Sequence, residues 1–432
     1  MGADDAVEAP RRAATFALAA VVAFPLIPWL TAGSLADRFS GIATLKSVAN
    51  LAALFGIAAW AANLVLASRI APVERALGGL ENLYRLHRRI GVLVVILVAT
   101  HVVFLALHAG ASALDLFVPA AGLSIFSGVI AFVLLIGFVI ASIVGRLAYE
   151  TFLLVQRLLG ATFVVGAFHT FAVHGTKASA PLLTAYLAVL TAAGVAGLGY
   201  RLFGGRIGVG RHRYHVEGVR RLGDDVVEIS MLPDARPVEF QAGQFVYATF
   251  HQSEIPREPH PFTIASAPGG DHLRIVVKRF GDFTSSMMSL RPGCAVWLEG
   301  PFGRFCLEGD PVNAQTWIAG GIGITPFLSW ARSLERALPV DLYYCTPAAE
   351  HAHFLDELYD IADRFPTFKV IPIRKSSLGR LSVSDIEAVN PNVTRGHVFM
   401  CGPQVLIDNM TSGLSDRGVP SHRIHAECFD FR

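Results

Sequence analysis

The sequence is short of charge. Asp, Glu, Lys and Arg make up 16% of its 432 residues, where a soluble protein carries roughly 25%. The deficit is local. Only five acids stand between Ala14 and Phe203, a stretch dominated by Ala, Leu, Val, Ile and Phe. From Arg211 onward charged residues recur every few positions. The chain therefore reads as a membrane half followed by a soluble half long enough for two modest domains. It also lacks any run of Lys and Arg with interleaved aromatics, and its net charge is only +2. Nucleic acid is not an expected partner. The five cysteines, Cys294, Cys306, Cys345, Cys401 and Cys428, all lie in the soluble half and form no CxxC pair. Neither a zinc site nor a disulfide framework is indicated, and free thiols fit a reducing cytoplasm. No internal repeat or low-complexity tract stands out.

What is present is a series of apolar runs. Six can be marked, at roughly Ala14–Leu30, Val48–Ala67, Gly91–Leu107, Leu123–Val144, Phe152–Val173 and Pro181–Leu202. With their flanks they reach the ~20 residues that span a bilayer. Arg11 and Arg12 before the first run resemble the start of a signal peptide. The run continues to Leu30 without a small-residue cleavage site, so it is read as a retained first helix. Basic residues set the orientation. Arg11, Arg12, Arg69, Arg75, Arg85, Arg88, Arg89, Arg146, Arg201 and Arg206 fall on one side. The opposite loops hold only Arg38, Lys46 and Lys177. The first side is expected to be cytoplasmic, with both termini and the soluble half on it.

Ionisable residues inside membrane helices are costly and mark candidate sites. The third run and its flanks carry His87, His101 and His108; the fifth carries His169, with His174 at its outer end. His87 and His101 are 14 residues apart, close to four helical turns, so they share a face about 21 Å apart. Two haems stacked in one bundle need ligands at that kind of separation. His169 lies at the depth of His101, but 13 residues before it stands Gln156. The plainer reading makes such histidines interhelical hydrogen-bonding residues. His108 and His174 read as residues of the external surface.

Tyr149-Glu150-Thr151-Phe152, then Gln156-Arg157-Leu158, then His169 resembles helix 5 of the ferric reductase and NADPH oxidase superfamily. The resemblance runs from about residue 45 to 432. It implies a six-helix transmembrane haem-binding bundle (14–203) after a cytoplasmic tail (1–13). A glycine-rich linker (204–210), an antiparallel FAD-binding barrel (211–311) and an α/β NAD(P)H-binding domain with a parallel sheet (312–432) then follow. It implies two b-type haems held by two histidine pairs. Carried over, His101 and His169 are the axial ligands of the outer haem, and His87 is the remaining ligand of the inner one. Gln156 departs from the pattern, because an amide is a poor ligand for haem iron.

In the soluble half, strand-like stretches at Arg213–Glu217, Val226–Met231, Phe245–Phe250, Phe262–Ala265, Leu273–Lys278 and Ala295–Glu299 suggest a small barrel. From Gln315 the pattern becomes strand, glycine turn, helix over Pro326–Leu338, then strand, as in nucleotide-binding α/β folds. His260-Pro261-Phe262-Thr263-Ile264 resembles the flavin motif of the ferredoxin reductase superfamily, with Lys278, Gly281, Asp282, Phe283 and Thr284 as its second part. Glycine and a hydroxyl at a helix start suit the FAD pyrophosphate. Gly320-Gly321-Ile322-Gly323-Ile324-Thr325-Pro326 follows a strand and opens a helix, which suits a second dinucleotide. Cys401-Gly402-Pro403 ends a later strand. The resemblance puts this cysteine beside the nicotinamide, and it makes Phe429 or Phe431 a terminal aromatic stacked on the flavin; ordinary core packing is the other reading of each. Arg374 and Lys375 are candidates for a 2′-phosphate.

These features imply electron transfer from cytoplasmic NAD(P)H through FAD and b-type haem to an acceptor outside. Leu105 occupies the place, one turn outward of His101, where oxidases of the family carry a histidine. Ferric-chelate or other metal reduction is the leading expectation. Superoxide production from oxygen, and transfer to a partner protein, are the alternatives.

Overall fold

The computed structural model describes residues 3–31, 35–118, 122–144, 147, 149–174, 181–203, 211–307, 314–375 and 381–428. The chain divides into two compact units, Met1–Val209 and Gly210–Arg432. The 204–210 linker and the 311/312 boundary fall outside the described residues.

The first unit is all helical. Six helices are long and apolar enough to cross a membrane. They are α1 (Ala3–Ala23), α2 (Ala43–Ala67), α3 (Leu80–Ala109), α4 (Leu123–Val144), α5 (Tyr149–His174) and α6 (Pro181–Phe203). The first span is broken at Phe24-Pro25 and resumes as a short helix, Leu26–Thr31. Pro25 has no N–H to give to the preceding turn, which accounts for the break. α3 is longer than its apolar run predicts. It starts in the basic segment at Leu80 and continues past Ala109 as a 3₁₀ turn to Phe117. α2 packs most extensively, against α3 and α6, while α4 packs on α5. Its small residues permit this, with Ala49, Ala58, Ala59 and Ala61 fully buried. Large apolar side chains such as Ile96, Val103, Val133 and Ile140 stay exposed on the outer faces, as a lipid-facing surface requires.

The second unit holds two sheets. Strands β1 (Arg211–Leu222), β2 (Val226–Pro233), β3 (Phe245–Phe250), β4 (His260–Thr263), β5 (Leu273–Lys278) and β6 (Ala295–Phe302) form an antiparallel sheet. Its order is β4-β3-β6-β1-β2-β5. The sheet curls until its edges meet at one bridge, Ile264 to Ile275. Alternate side chains, among them Tyr214, Val216, Ile229, Phe250 and Leu298, fill the interior. A short helix, α7 (Asp282–Ser286), follows β5.

The remaining strands, β7 (Gln315–Gly320), β8 (Val340–Thr346), β9 (Phe368–Arg374), β10 (His397–Gly402) and β11 (Ile424–Cys428), form a parallel sheet in the order β11-β10-β7-β8-β9. The connections include α8 (Thr325–Arg332), α9 (Leu355–Arg364), α10 (Val383–Val389) and α11 (Gln404–Asp416). The strand order reverses between β7 and β10. In open sheets of this kind, ligands bind beyond the carboxyl ends of the strands at such a reversal. α8 stops at Arg332 instead of running to Leu338. There Ser333 turns its hydroxyl back onto the Trp330 carbonyl, 2.8 Å away, a local bond that competes with helix continuation.

Candidate functional sites in the two units

The membrane unit brings His101 and His169 together. Their ring centroids lie 6.4 Å apart. Two imidazoles on opposite sides of one metal, each nitrogen about 2 Å from it, put their centroids roughly 6.3 Å apart. Each Nδ1 is engaged by backbone: His101 Nδ1 is 2.9 Å from Ala49 O, and His169 Nδ1 is 2.6 Å from Ser124 O. A carbonyl only accepts, so Nδ1 carries the proton and Nε2 keeps its lone pair, the form that ligates a metal. Among the described residues, α3 and α5 are not in close backbone packing with each other. Room for the His169 ring is cut into α4: a Cβ at Gly128 would lie 2.6 Å from the imidazole. These residues fit a bis-histidine haem. His87 repeats the pattern at the basic end of α3, its Nδ1 3.2 Å from Asn63 O. Gln156 donates its amide to Ser142 Oγ on α4 at 3.4 Å. His108 is half-buried, with Nδ1 3.2 Å from Ile42 O. The side chain of His174 lies outside the described residues.

In the second unit the flavin motif sits on β4 and after β5. Phe262 turns inward and packs against Phe250 and Phe283. Thr263 and Ile264 are buried as well. The motif's accessible ring is His260, stacked on Phe283 with centroids 3.6 Å apart. Burial lowers the His260 pKa, while Glu258 at 3.3 Å opposes that shift. Thr284 Oγ1 accepts from the N–H groups of Phe280 and Gly281, at 2.8 and 3.0 Å. The hydroxyl thus fixes the turn at the helix start. Lys278 pairs with Asp225 at 3.6 Å.

The glycine turn falls at the strand reversal. Gly321 has φ +55°, a conformation open to glycine at little cost. Gly323 lies so close to the end of β10 that a Cβ there would collide with the Cys401 carbonyl. Gly320 and Gly402 make a similar approach. Backbone from Gly320–Thr325 and Cys401–Pro403 thus meets in one place, as a dinucleotide cradle requires. Pro326 occupies the first turn of α8, where its missing N–H is harmless. Cys401 is wholly buried. Burial, then Glu427 and Cys428, push its thiol well above the ordinary range, so it stays protonated. Arg374 ends the edge strand β9, exposed and in register with Thr346. Phe429 and Phe431 lie outside the described residues.

The structure joins the two motifs in a pocket that contains Lys278 and Asp225 from the barrel with Gly321 and Ile322 from the turn. His351 and His353 also line it, and sequence reasoning missed both. His351 Nδ1 and His353 Nε2 are buried without a hydrogen-bond partner, so each can donate to or accept from a ligand. Burial, with His351 and Lys278, holds His353 below its ordinary pKa against the pull of Asp225. The available signal was weak: two histidines flanking Ala352 after a strand.

α8 begins at this turn and ends on the barrel. Arg332 meets Glu228 of β2 at 2.9 Å and Glu357 of α9 at 2.7 Å, and donates to Ala265 O at 2.8 Å. Ser329 donates to Ser266 O at 2.7 Å, and the Trp330 indole to Ala242 O at 3.0 Å.

Residues 52–167 match the family of the ferric reductase like transmembrane component, and residues 212–304 match the FAD-binding domain family. The chain is 24% identical over 235 residues to the reductase component of propane 2-monooxygenase from Rhodococcus jostii, covering 50% of this chain and 63% of that protein. It is 26% identical over 207 residues to the ferredoxin–NAD(P)(+) reductase component of the naphthalene 1,2-dioxygenase/salicylate 5-hydroxylase systems from a Ralstonia species, covering 45% and 62%. The chain therefore spans less than two thirds of the length of these relatives. Among solved structures, phthalate dioxygenase reductase aligns with a TM-score of 0.44 at 24% identity, covering 51% of this chain and 68% of that one. A cytochrome P450 reductase from Amycolatopsis aligns at 0.45 and 22%, covering 51% and 69%.

Proposed function

From a chain that joins a ferric reductase-like transmembrane component to a FAD- and NAD(P)H-binding oxidoreductase, we propose transmembrane electron transfer. Cytoplasmic NAD(P)H is the donor, and a ferric chelate or other oxidised metal on the opposite side is the acceptor. The observation that carries the reading is the His101–His169 pair at 6.4 Å, each ring aimed by a backbone carbonyl at its Nδ1, the arrangement that suits two ligands of a b-type haem. Such a haem supplies a one-electron station inside the hydrocarbon. FAD supplies the change from a two-electron hydride donor to one-electron acceptors.

The residues divide the work. Gly320–Thr325 and Cys401–Pro403 receive the nucleotide on backbone, and Arg374 is the candidate partner of a 2′-phosphate. His260 and Phe283 wall the flavin side, and Lys278 with the Gly281–Thr284 turn takes the pyrophosphate. Neutral Cys401 acts as a wall rather than a nucleophile. Basic residues at the start of α3, Arg85, Arg88 and Arg89, support a cytoplasmic face for that end. The reductase-component relatives support a second acceptor, a partner protein.

The test uses proteoliposomes of the full chain with ferric citrate trapped inside and NAD(P)H added outside. Ferrous iron is expected to form in the lumen without oxygen, insensitive to superoxide dismutase. His169→Ala should abolish this while reduction of external ferricyanide continues. Lumenal reduction that survives His169→Ala would sink the haem route. Oxygen dependence with sensitivity to the dismutase would replace the metal acceptor with oxygen. NAD(P)H oxidation with neither acceptor would replace it with a partner protein.

A further inference from the structure

The α2–α3 pair repeats one arrangement at two depths. His101 Nδ1 binds the carbonyl of Ala49, and His87 Nδ1 binds that of Asn63. The histidines are 14 residues apart on α3, and the carbonyls are 14 apart on the antiparallel α2. The bundle thus offers the same imidazole, held the same way, at two levels about 21 Å apart.

α5 answers only one of them. At the first level His169 stands opposite, with the spacing of a bis-histidine metal site. Thirteen residues earlier stands Gln156, whose amide nitrogen donates to Ser142 Oγ; Ser142 in turn donates to Phe138 O at 2.8 Å. An amide nitrogen has no lone pair for iron, and an amide oxygen is a poor match for it. Neither a sulfur ligand nor a second histidine substitutes at that level. After Met1 the membrane half contains no methionine and no cysteine, and its remaining histidines, His108 and His174, belong to the other end of the bundle. The second level also leaves Asn63 Oδ1 buried without a hydrogen-bond partner. An iron porphyrin carries no N–H to offer that oxygen.

We infer that this bundle takes one haem, between His101 and His169, and that Gln156 with its Ser142 bond has closed the His87 level to a second. His87 is then a packing residue that ties α3 to α2. The inference rests on the haem reading above, and the experiment separates the two.

The full-length protein is purified in detergent with its FAD. Haem per flavin is read by pyridine haemochrome, and the α-band is titrated potentiometrically. A ratio near one, a single Nernst component, and the same values in His87→Ala are expected. Gln156→His, with FAD content and NAD(P)H–ferricyanide activity as the check on folding, should raise the ratio toward two and add a second component. A ratio near two in the native protein, or haem lost in His87→Ala, overturns the inference. So does a folded Gln156→His protein that stays at one. A ratio near zero in the native protein sinks the haem reading itself.

Discussion

The two units build their sites from opposite materials. In the membrane unit side chains face the site and the backbone anchors them: a histidine ring is aimed by a carbonyl of the neighbouring helix. In the second unit the backbone faces the site, and side chains such as Thr284 and Arg332 hold it from behind. The difference follows from solvent. Inside hydrocarbon every backbone group is already committed to its helix, so a ligand must come from a side chain. In a parallel sheet the strand ends leave N–H groups uncommitted, and glycine lets a ligand approach them.

This contrast can be broken by experiment. The largest effect is expected from Gly323→Ala. A Cβ there meets the Cys401 carbonyl, and overpacking costs about 1–3 kcal/mol. NAD(P)H–ferricyanide kcat/KM should fall about tenfold to a hundredfold while the haem spectrum stays as it was. An unchanged kcat/KM would mean that the turn does not carry the nucleotide. Next is Arg332→Met. Removing one partner of a buried ion pair costs about 3 kcal/mol, and Glu228 is nearly fully buried. The soluble unit's melting temperature should drop by roughly 10 °C. The same seam is sensitive to acid. Burial raises the Glu357 carboxyl, but the Arg332 guanidinium outweighs it and holds the group below its ordinary value. A depressed folded pKa gives stability that is present above the unfolded pKa, about 4.3, and lost as pH falls through the folded one. Native protein should therefore lose melting temperature in that acid window, and Arg332→Met should lose less. The smallest effect belongs to Gly128→Ala. Its methyl displaces the His169 ring, and haem should leave for apomyoglobin roughly tenfold faster. Ferricyanide reduction should be unaffected. If hydride transfer fell too, the two sites would not be separately built.

The same contrast governs what was legible in the sequence. Six spans stood out because apolar runs of that length, repeated within one chain, match the thickness of a bilayer and little else. His101 and His169 could be paired from sequence because depth on a straight helix is simple arithmetic. The glycine turns were legible by order, with strand before and helix after. His351 and His353 were not, since nothing in a loop's spacing says which cleft it folds over. Nor was Arg332: one arginine among the charges of a soluble domain carries no mark of the two carboxylates awaiting it from β2 and α9. The end of α8 at Arg332 was missed because a serine hydroxyl bonding back to its own turn competes locally with an otherwise helical pattern.

α8 is only eight residues long, about 12 Å. One end is the glycine turn proposed to receive the nucleotide, and the other is bolted to the barrel. So short a strut has little slack, and on the proposed reading one mechanical part serves both cofactors. Whatever free energy one cofactor invests in setting that strut is free energy the other need not supply, and the benefit is equal in both directions. Stripping FAD should therefore weaken nucleotide binding, and adding nucleotide should tighten FAD binding, by the same factor.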